Sequence, residues 1–152
     1  MFATTMLKNL KITRAVAQTA AGATDVNGST IDTAGYTGVM FILDVGTLTA
    51  TQVTSMRAQQ GAASDASDMA DLEGSIAGPV ADTDGQRYLV IDLFRPLKRY
   101  VRVVVDRATA NAVLNGGVAI LYGARDMPVT NAAAAGGIAF SKTLVTPAEG
   151  TP

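Results

Sequence analysis

The densest cluster of side chains that could bind a metal ion is acidic and lies near the middle of the chain. Its four carboxylates belong to Asp65, Asp68, Asp71 and Glu73. A hard cation such as Ca²⁺ takes about six to eight oxygen ligands, so these residues could contribute to a cation site. Their spacing differs from that of an EF-hand loop, and the central glycine of such a loop is absent. We therefore predict a solvated acidic segment, either a loop or a short helix capped by Ser64, and no metal or other cofactor.

A second charged group is basic and comprises Arg87, Arg95, Lys98, Arg99, Arg102 and Arg107. Such a group could bind phosphate or nucleic acid, but its aromatic companions are few and form no stacking motif. The net charge of −1 also lacks the positive excess typical of a nucleic-acid-binding domain. We predict that these side chains pair with acidic residues of the same chain or of a neighbour, and that nucleic acid is not a partner.

The residue types needed for nucleophilic catalysis are scarce. The chain contains no histidine and no cysteine, so a hydroxyl nucleophile would need a lysine or a carboxylate as its base. No lysine stands in a Ser-x-x-Lys motif, and the small-residue run 135–137 lacks the lysine that completes a phosphate-binding loop. We predict that the protein is not an enzyme.

Six segments have the composition or alternation of β-strands, and no amphipathic helix of useful length appears. They are residues 11–19, 39–45, 53–60, 86–94, 100–106 and 117–125, with 109–116 as a turn region. This spacing predicts an all-β fold, an antiparallel β-sandwich of the jelly-roll kind, in one domain over residues 11–128. Residues 1–10 are predicted to form an N-terminal arm and residues 129–152 an extended C-terminal tail.

Two of these segments carry a further prediction about burial. Residues 39–45 are apolar except for Asp44, which indicates a strand covered on both faces. In segment 86–94 the residues alternate, so Tyr88, Val90, Asp92 and Phe94 share one face and the intervening residues share the other.

Both termini carry apolar side chains in segments too short to fold alone. The candidate anchors for a partner are Phe2, Met6, Leu7 and Leu10 in the arm, and Ile138, Phe140, Leu144 and Val145 in the tail. Such segments can hold neighbouring subunits by adding a strand to a sheet edge or by filling grooves, and the alternative is plain disorder. Only 16% of the residues are charged, which suits a protein packed against neighbours or, alternatively, a polar uncharged surface.

The order of several segments resembles that of small virion proteins from tailed bacteriophages, of the capsid decoration or cement type. The similar segments are 36–46, 95–96, 99–105, 111–112 and 118–128, and together they cover roughly residues 30–128, while 62–85 matches nothing in the pattern. The resemblance implies a β-sandwich on the capsid exterior that bridges neighbouring major capsid subunits and stabilises the shell. The resemblance transfers no individual functional residue. We expect the protein to be a homodimer or homotrimer.

The expected localisation is the virion, after synthesis in the host cytoplasm. The N-terminus lacks the basic start and continuous apolar core of a signal peptide, and no stretch is long and apolar enough to cross a bilayer, so no membrane partner is expected. Two alternatives stay open: a head–tail connector or tail component, and a carbohydrate-binding adhesin module. The second alternative is disfavoured by a chain with 5% aromatic residues and no tryptophan.

Overall fold

A computed structural model describes residues 5–131 and 133–151 of the chain. It contains one helical turn, α1 (Met6–Asn9), followed by ten strands. The strands are β1 (Lys11–Val16), β2 (Thr19–Gly22), β3 (Val26–Asn27), β4 (Ile31–Asp32), β5 (Gly38–Leu48), β6 (Val53–Gly61), β7 (Ala70–Asp71), β8 (Tyr88–Phe94), β9 (Tyr100–Ala108) and β10 (Ala112–Tyr122). The predicted all-β sandwich is confirmed.

The strands form two antiparallel five-stranded sheets that pack face to face. In the front sheet the order is β1-β10-β5-β8, and β2 also pairs with β10. In the back sheet the order is β3-β9-β6-β7, and β4 also pairs with β9. Strands β5 and β9 supply much of the core between the sheets, because their alternate residues are large, apolar and β-prone. The core side chains include Val39, Phe41, Leu43 and Val45 from β5 and Val101, Val103 and Val105 from β9.

Register shifts in two strands, β1 and β10, depart from the regular alternation and the turn expected from the sequence. In β1 the register shifts between Arg14 and Val16, so Ala15 and Val16 are both buried, whereas the alternation within segment 11–19 predicts that they lie on opposite faces. In β10 the register shifts twice between Ala112 and Gly116, and Gly116 has a φ of +119°. The prediction of a turn up to residue 116 was therefore wrong, because the strand continues through a region that glycine allows to bend.

The segments at the two ends of the chain meet at the free edge of β1. Asn131 donates from Nδ2 to the carbonyl of Leu10 (2.9 Å), and its Oδ1 accepts from the amide of Ile12 (2.9 Å). The amide of Arg14 donates to the carbonyl of Gly136 (2.6 Å). Residues 6–9 of the predicted arm form the helical turn, and residues 129–131 and 133–137 of the predicted tail lie along this edge.

Candidate functional site: an exposed apolar sheet face

The outer face of the front sheet carries apolar side chains in two rows that cross three neighbouring strands. In the first row Val118 of β10 pairs with Ile42 of β5, and Ile42 pairs with Val90 of β8. In the second row Ile12 of β1 pairs with Ile120 of β10, and Ile120 pairs with Met40 of β5. We call these six residues (Ile12, Met40, Ile42, Val90, Val118 and Ile120) the apolar face.

The apolar face is not covered by any other layer of the described chain. Val90 is 49% exposed and Val118 is 39% exposed, while the other four side chains are half-buried. An outward sheet face normally alternates to polar residues, because it meets water. The sequence predicted that segment 39–45 would be covered on both faces, and this is wrong within the described residues, since a two-layer sandwich covers only the inner face. We therefore treat this contiguous apolar surface as the candidate interaction site.

Charged and aromatic residues lie around the apolar face. Arg14 is the cross-strand partner of Val118 at one end of the first row, and Asp92 is the partner of Met40 at the end of the second. Tyr88 (66% exposed) and Phe94 (63% exposed) extend the surface along β8. A rim that mixes charges of both signs with exposed aromatic rings is typical of protein–protein interfaces.

A tyrosine bridges the front sheet at one end of this face. The hydroxyl of Tyr122 on β10 donates to Oδ1 of Asp92 on β8 (2.6 Å), crossing β5 between them. Gly38 of β5 makes this possible, because a Cβ atom at that position would collide with the Tyr122 ring. Desolvation, together with the hydrogen bond to Asp92, raises the pKa of Tyr122 to about 12.

A depression of about 750 Å³ lies across the same face. It extends from Tyr88 and Asp44, past Ile42 and Val118, to the tail at Gly136. The outer face is therefore concave as well as apolar, and its depression has room for a protruding side chain or loop of a partner.

The outer face of the back sheet is different, because its polar side chains bind one another. Arg57 forms ion pairs with Asp71 (3.0 Å) and with Asp106. The Nε2 atom of Gln59 donates to Asp71 (2.7 Å), and Nε of Arg102 donates to Oε1 of Gln59 (2.7 Å). Hydrogen bonds from Gln59 and Arg57 hold the pKa of Asp71 below its ordinary value.

The carboxylates of the acidic cluster bind different parts of the chain. Asp68 accepts from the amides of Ala62 and Ala63 (2.8 and 3.0 Å), and Asp65 accepts from the amide of Ser67 (3.0 Å), so the segment is a hydrogen-bonded loop up to the short β7. Hydrogen bonds from the side chain and the amide of Ser67 lower the pKa of Asp65, and the two amide bonds lower the pKa of Asp68. Among the residues that the structure describes, no three carboxylates are arranged to hold a metal ion.

Several of the basic residues pair within the chain, as predicted. Arg99 makes two hydrogen bonds to Asp32 (2.9 and 2.8 Å), which lowers the pKa of that carboxyl, and Arg87 pairs with Asp84 (2.5 Å). Arg107 differs, because it is 4% exposed and its guanidinium donates only to backbone carbonyls. These carbonyls belong to Ala20, Thr24 and Ala112. Arg107 thus joins β9 to β10 and the segment around β2, and it is not available to an outside ligand.

The predicted terminal anchors have different environments. Met6 is 72% exposed, while Leu7 and Leu10 are half-buried beside Asn131; Phe2 lies outside the described residues. In the tail Ile138 is half-buried, whereas Phe140, Leu144 and Val145 are exposed. Three of the four candidate tail anchors are therefore exposed to solvent in this structure.

Sequence reasoning missed the apolar face as a site. The signal was present in segment 39–45, where apolar residues occupy both alternating sets of positions. Comparisons with protein-family models, with curated proteins and with solved structures found no match to this chain. No helix among residues 5–131 and 133–151 is long and apolar enough to cross a membrane.

Proposed function

We propose that this protein is a structural component of a phage virion. In this proposal it binds the outside of the capsid, bridges neighbouring major capsid subunits and stabilises the shell. The observation that carries the proposal is the uncovered apolar face, and the resemblance over residues 30–128 supplies the class of partner.

The apolar face suits a contact that is repeated many times on a shell. Burial of apolar surface contributes roughly 25 cal/mol per Å², so a face of six apolar side chains supports a modest contact by itself. A protein held at two or more points gains further affinity through its effective local concentration. The exposed Met6 of the arm and Val145 of the tail offer additional contacts of this kind. Bridging between subunits follows when different contacts of one copy reach different capsid subunits.

The proposal is tested by mixing the protein with expanded, undecorated capsids of the phage that encodes it. We expect saturable binding at many copies per shell by cryo-electron microscopy, and a higher temperature of capsid disruption. Val118→Asp should weaken this binding at least tenfold, because it places a charge in the apolar face. Val53→Asp is the matched control, since Val53 is similarly exposed (46%) but lies on the back sheet.

The other outcomes distinguish the alternatives. Binding at a single vertex would overturn the decoration proposal in favour of a head–tail connector. No binding to capsids, together with hits on a glycan array, would overturn it in favour of an adhesin. Equal binding by Val118→Asp and Val53→Asp would show that the apolar face is not the capsid-binding surface.

A further inference from the structure

Strand β8 has a free edge, unlike the other end of the front sheet. The edge of β1 is closed by hydrogen bonds to Asn131 and Gly136, and the edge strands of the back sheet (β3, β4 and β7) are only two residues long. Strand β8 has seven residues and pairs only with β5 among the described strands. A long unpaired edge is a template for a further strand.

The register shows which backbone groups point to this free edge. The amide of Val45 donates to the carbonyl of Arg87 (2.9 Å), and the amide of Arg95 donates to the carbonyl of Thr37 (2.8 Å). In an antiparallel pair the bonded residues alternate, so the odd-numbered residues of β8 bind β5. The amides and carbonyls of Val90 and Asp92 therefore face away from the sheet.

A groove of about 570 Å³ follows this free edge. One wall is formed by β8 and the residues after it, and the other wall is the segment 72–77 beside the back sheet. Four of its lining side chains are large, apolar and exposed: Ile76 (64%), Val90 (49%), Phe94 (63%) and Leu97 (90%). An extended peptide in this groove would find both backbone partners and apolar contacts, which is the geometry of β-strand addition.

The C-terminal tail contains a segment with the pattern of such a strand. In residues 138–145 Ile138, Phe140 and Leu144 fall on one alternating set of positions, between a Gly-Gly pair and Pro147. The segment forms no strand within its own chain, and Phe140, Leu144 and Val145 are 85%, 59% and 95% exposed. Lys142 in this segment is also complementary in charge to Glu73 in the groove wall.

The tail of one chain is badly placed to fill its own groove. It leaves the sheet at Gly136, beside β1, while the groove lies beyond β8 at the other end of the same sheet. The two positions are separated by five strand spacings of roughly 4.8 Å, or about 24 Å. Crossing that distance takes about seven residues at roughly 3.4 Å each, which would use nearly the whole segment before it could pair.

We propose that residues 138–145 of one copy add as a strand to the free edge of β8 in a second copy. The segment seats its apolar side chains in the groove between β8 and residues 72–77. The contact is heterologous, because the donor surface and the acceptor surface are different parts of the chain. Successive copies then form a closed ring or an open chain, and neither requires a capsid.

Two full-length variants separate the donor surface from the acceptor surface. The donor variant, Phe140→Asp with Leu144→Asp, places charges on the tail and leaves β8 intact. The acceptor variant, Asp92→Pro, removes an amide that points to the free edge but takes no part in the pairing with β5. Its matched control is Asp92→Ala, which also loses the hydrogen bond from Tyr122 but retains the amide.

The test is sedimentation velocity in the absence of capsids. We expect the unmodified chain and Asp92→Ala to associate as concentration rises, and each variant alone to remain monomeric. A mixture of the donor variant and Asp92→Pro should form discrete dimers, because one intact tail meets one intact edge. If Asp92→Pro does not fold, Ile76→Asp on the opposite groove wall replaces it.

The proposal is overturned if the unmodified chain stays monomeric at all concentrations. It is also overturned if the donor variant and the acceptor variant each associate as strongly as the unmodified chain. Dimers that persist in the donor variant alone would also overturn it. The apolar-face variant Val118→Asp should associate normally, so failure of strand addition and failure of capsid binding are separate results.

Discussion

The outer faces of the two sheets differ in how their side chains are covered or paired, although both belong to one sandwich. On the back sheet Arg57, Gln59 and Asp71 bind one another, and Val104, the cross-strand partner of Arg57, is 1% exposed although it points outward. The long arginine side chains cover apolar surface while their charged ends pair. On the front sheet the six residues of the apolar face have no such cover. The comparison indicates that, among the described residues, side chains of the back sheet cover much of its own outer face, whereas the apolar face of the front sheet stays uncovered.

Substitutions on the two faces of β5 should give the largest difference in the free energy of unfolding. Phe41 points into the core and is 1% exposed, whereas its neighbour Ile42 lies in the apolar face. We expect Phe41→Ala to lower the free energy of unfolding by about 3–5 kcal/mol, because it leaves a cavity. Ile42→Ala should cost about 1 kcal/mol, since its side chain is covered on one side only. Urea denaturation measures both values, and equal losses would contradict an uncovered front face.

The arginines on the two outer faces provide the next test. Arg57→Met removes two ion pairs from a partly buried network, and we expect a loss of about 1–3 kcal/mol. Arg14→Met is the control, because Arg14 is exposed and makes no ion pair within the described chain, so its effect should stay within about 0.5 kcal/mol. Thermal unfolding of both variants checks this difference. A larger loss of stability for Arg14→Met than for Arg57→Met would contradict the conclusion that the back sheet has the better-paired outer face.

The two faces should also respond to opposite extremes of pH, with a smaller effect on stability. Asp71 on the back face has a lowered pKa, so its contribution is present above the ordinary value of 3.8 and is lost as the pH falls below it. Tyr122 on the front sheet has a pKa raised from 10.0 to about 12, so its contribution is lost as the pH rises through that interval. Urea midpoints measured across both intervals test the assignment. Asp71→Asn should reduce the dependence of the urea midpoint on pH in the acid range, and Tyr122→Phe should reduce it in the alkaline range. An unchanged pH dependence in either variant would contradict the role assigned to that residue.

The smallest effect on folding is expected from a conservative change within the apolar face. Val118→Thr keeps the shape of a side chain that is 39% exposed, so the free energy of unfolding should change by less than about 0.5 kcal/mol. The matched change Val101→Thr buries a hydroxyl at a fully buried position and should cost about 1–3 kcal/mol. Differential scanning calorimetry compares the two. A large loss at Val118 would mean that the outer face is already packed in the monomer.

Local patterns predicted the parts of this fold that depend on neighbouring residues. The alternation in segment 86–94 correctly separated Leu89 and Ile91, which are buried in the structure, from Val90, which is exposed. The register shift after Arg14 was not predictable from alternation, because a bulge depends on how β1 meets β10. The roles of Asp68 and Asp71 were equally hidden, since their partners depend on which loop and strand the fold brings beside them.

The sequence by itself determined the all-β class, several of the strand positions and the presence of a strand-like segment in the tail. These properties follow from side-chain alternation and from glycine and proline, which act over a few residues. Only the tertiary structure decided which face of β5 is covered, which edge the tail closes and which edge stays free. Those outcomes depend on strand order, and strand order is set by contacts between residues far apart in the chain.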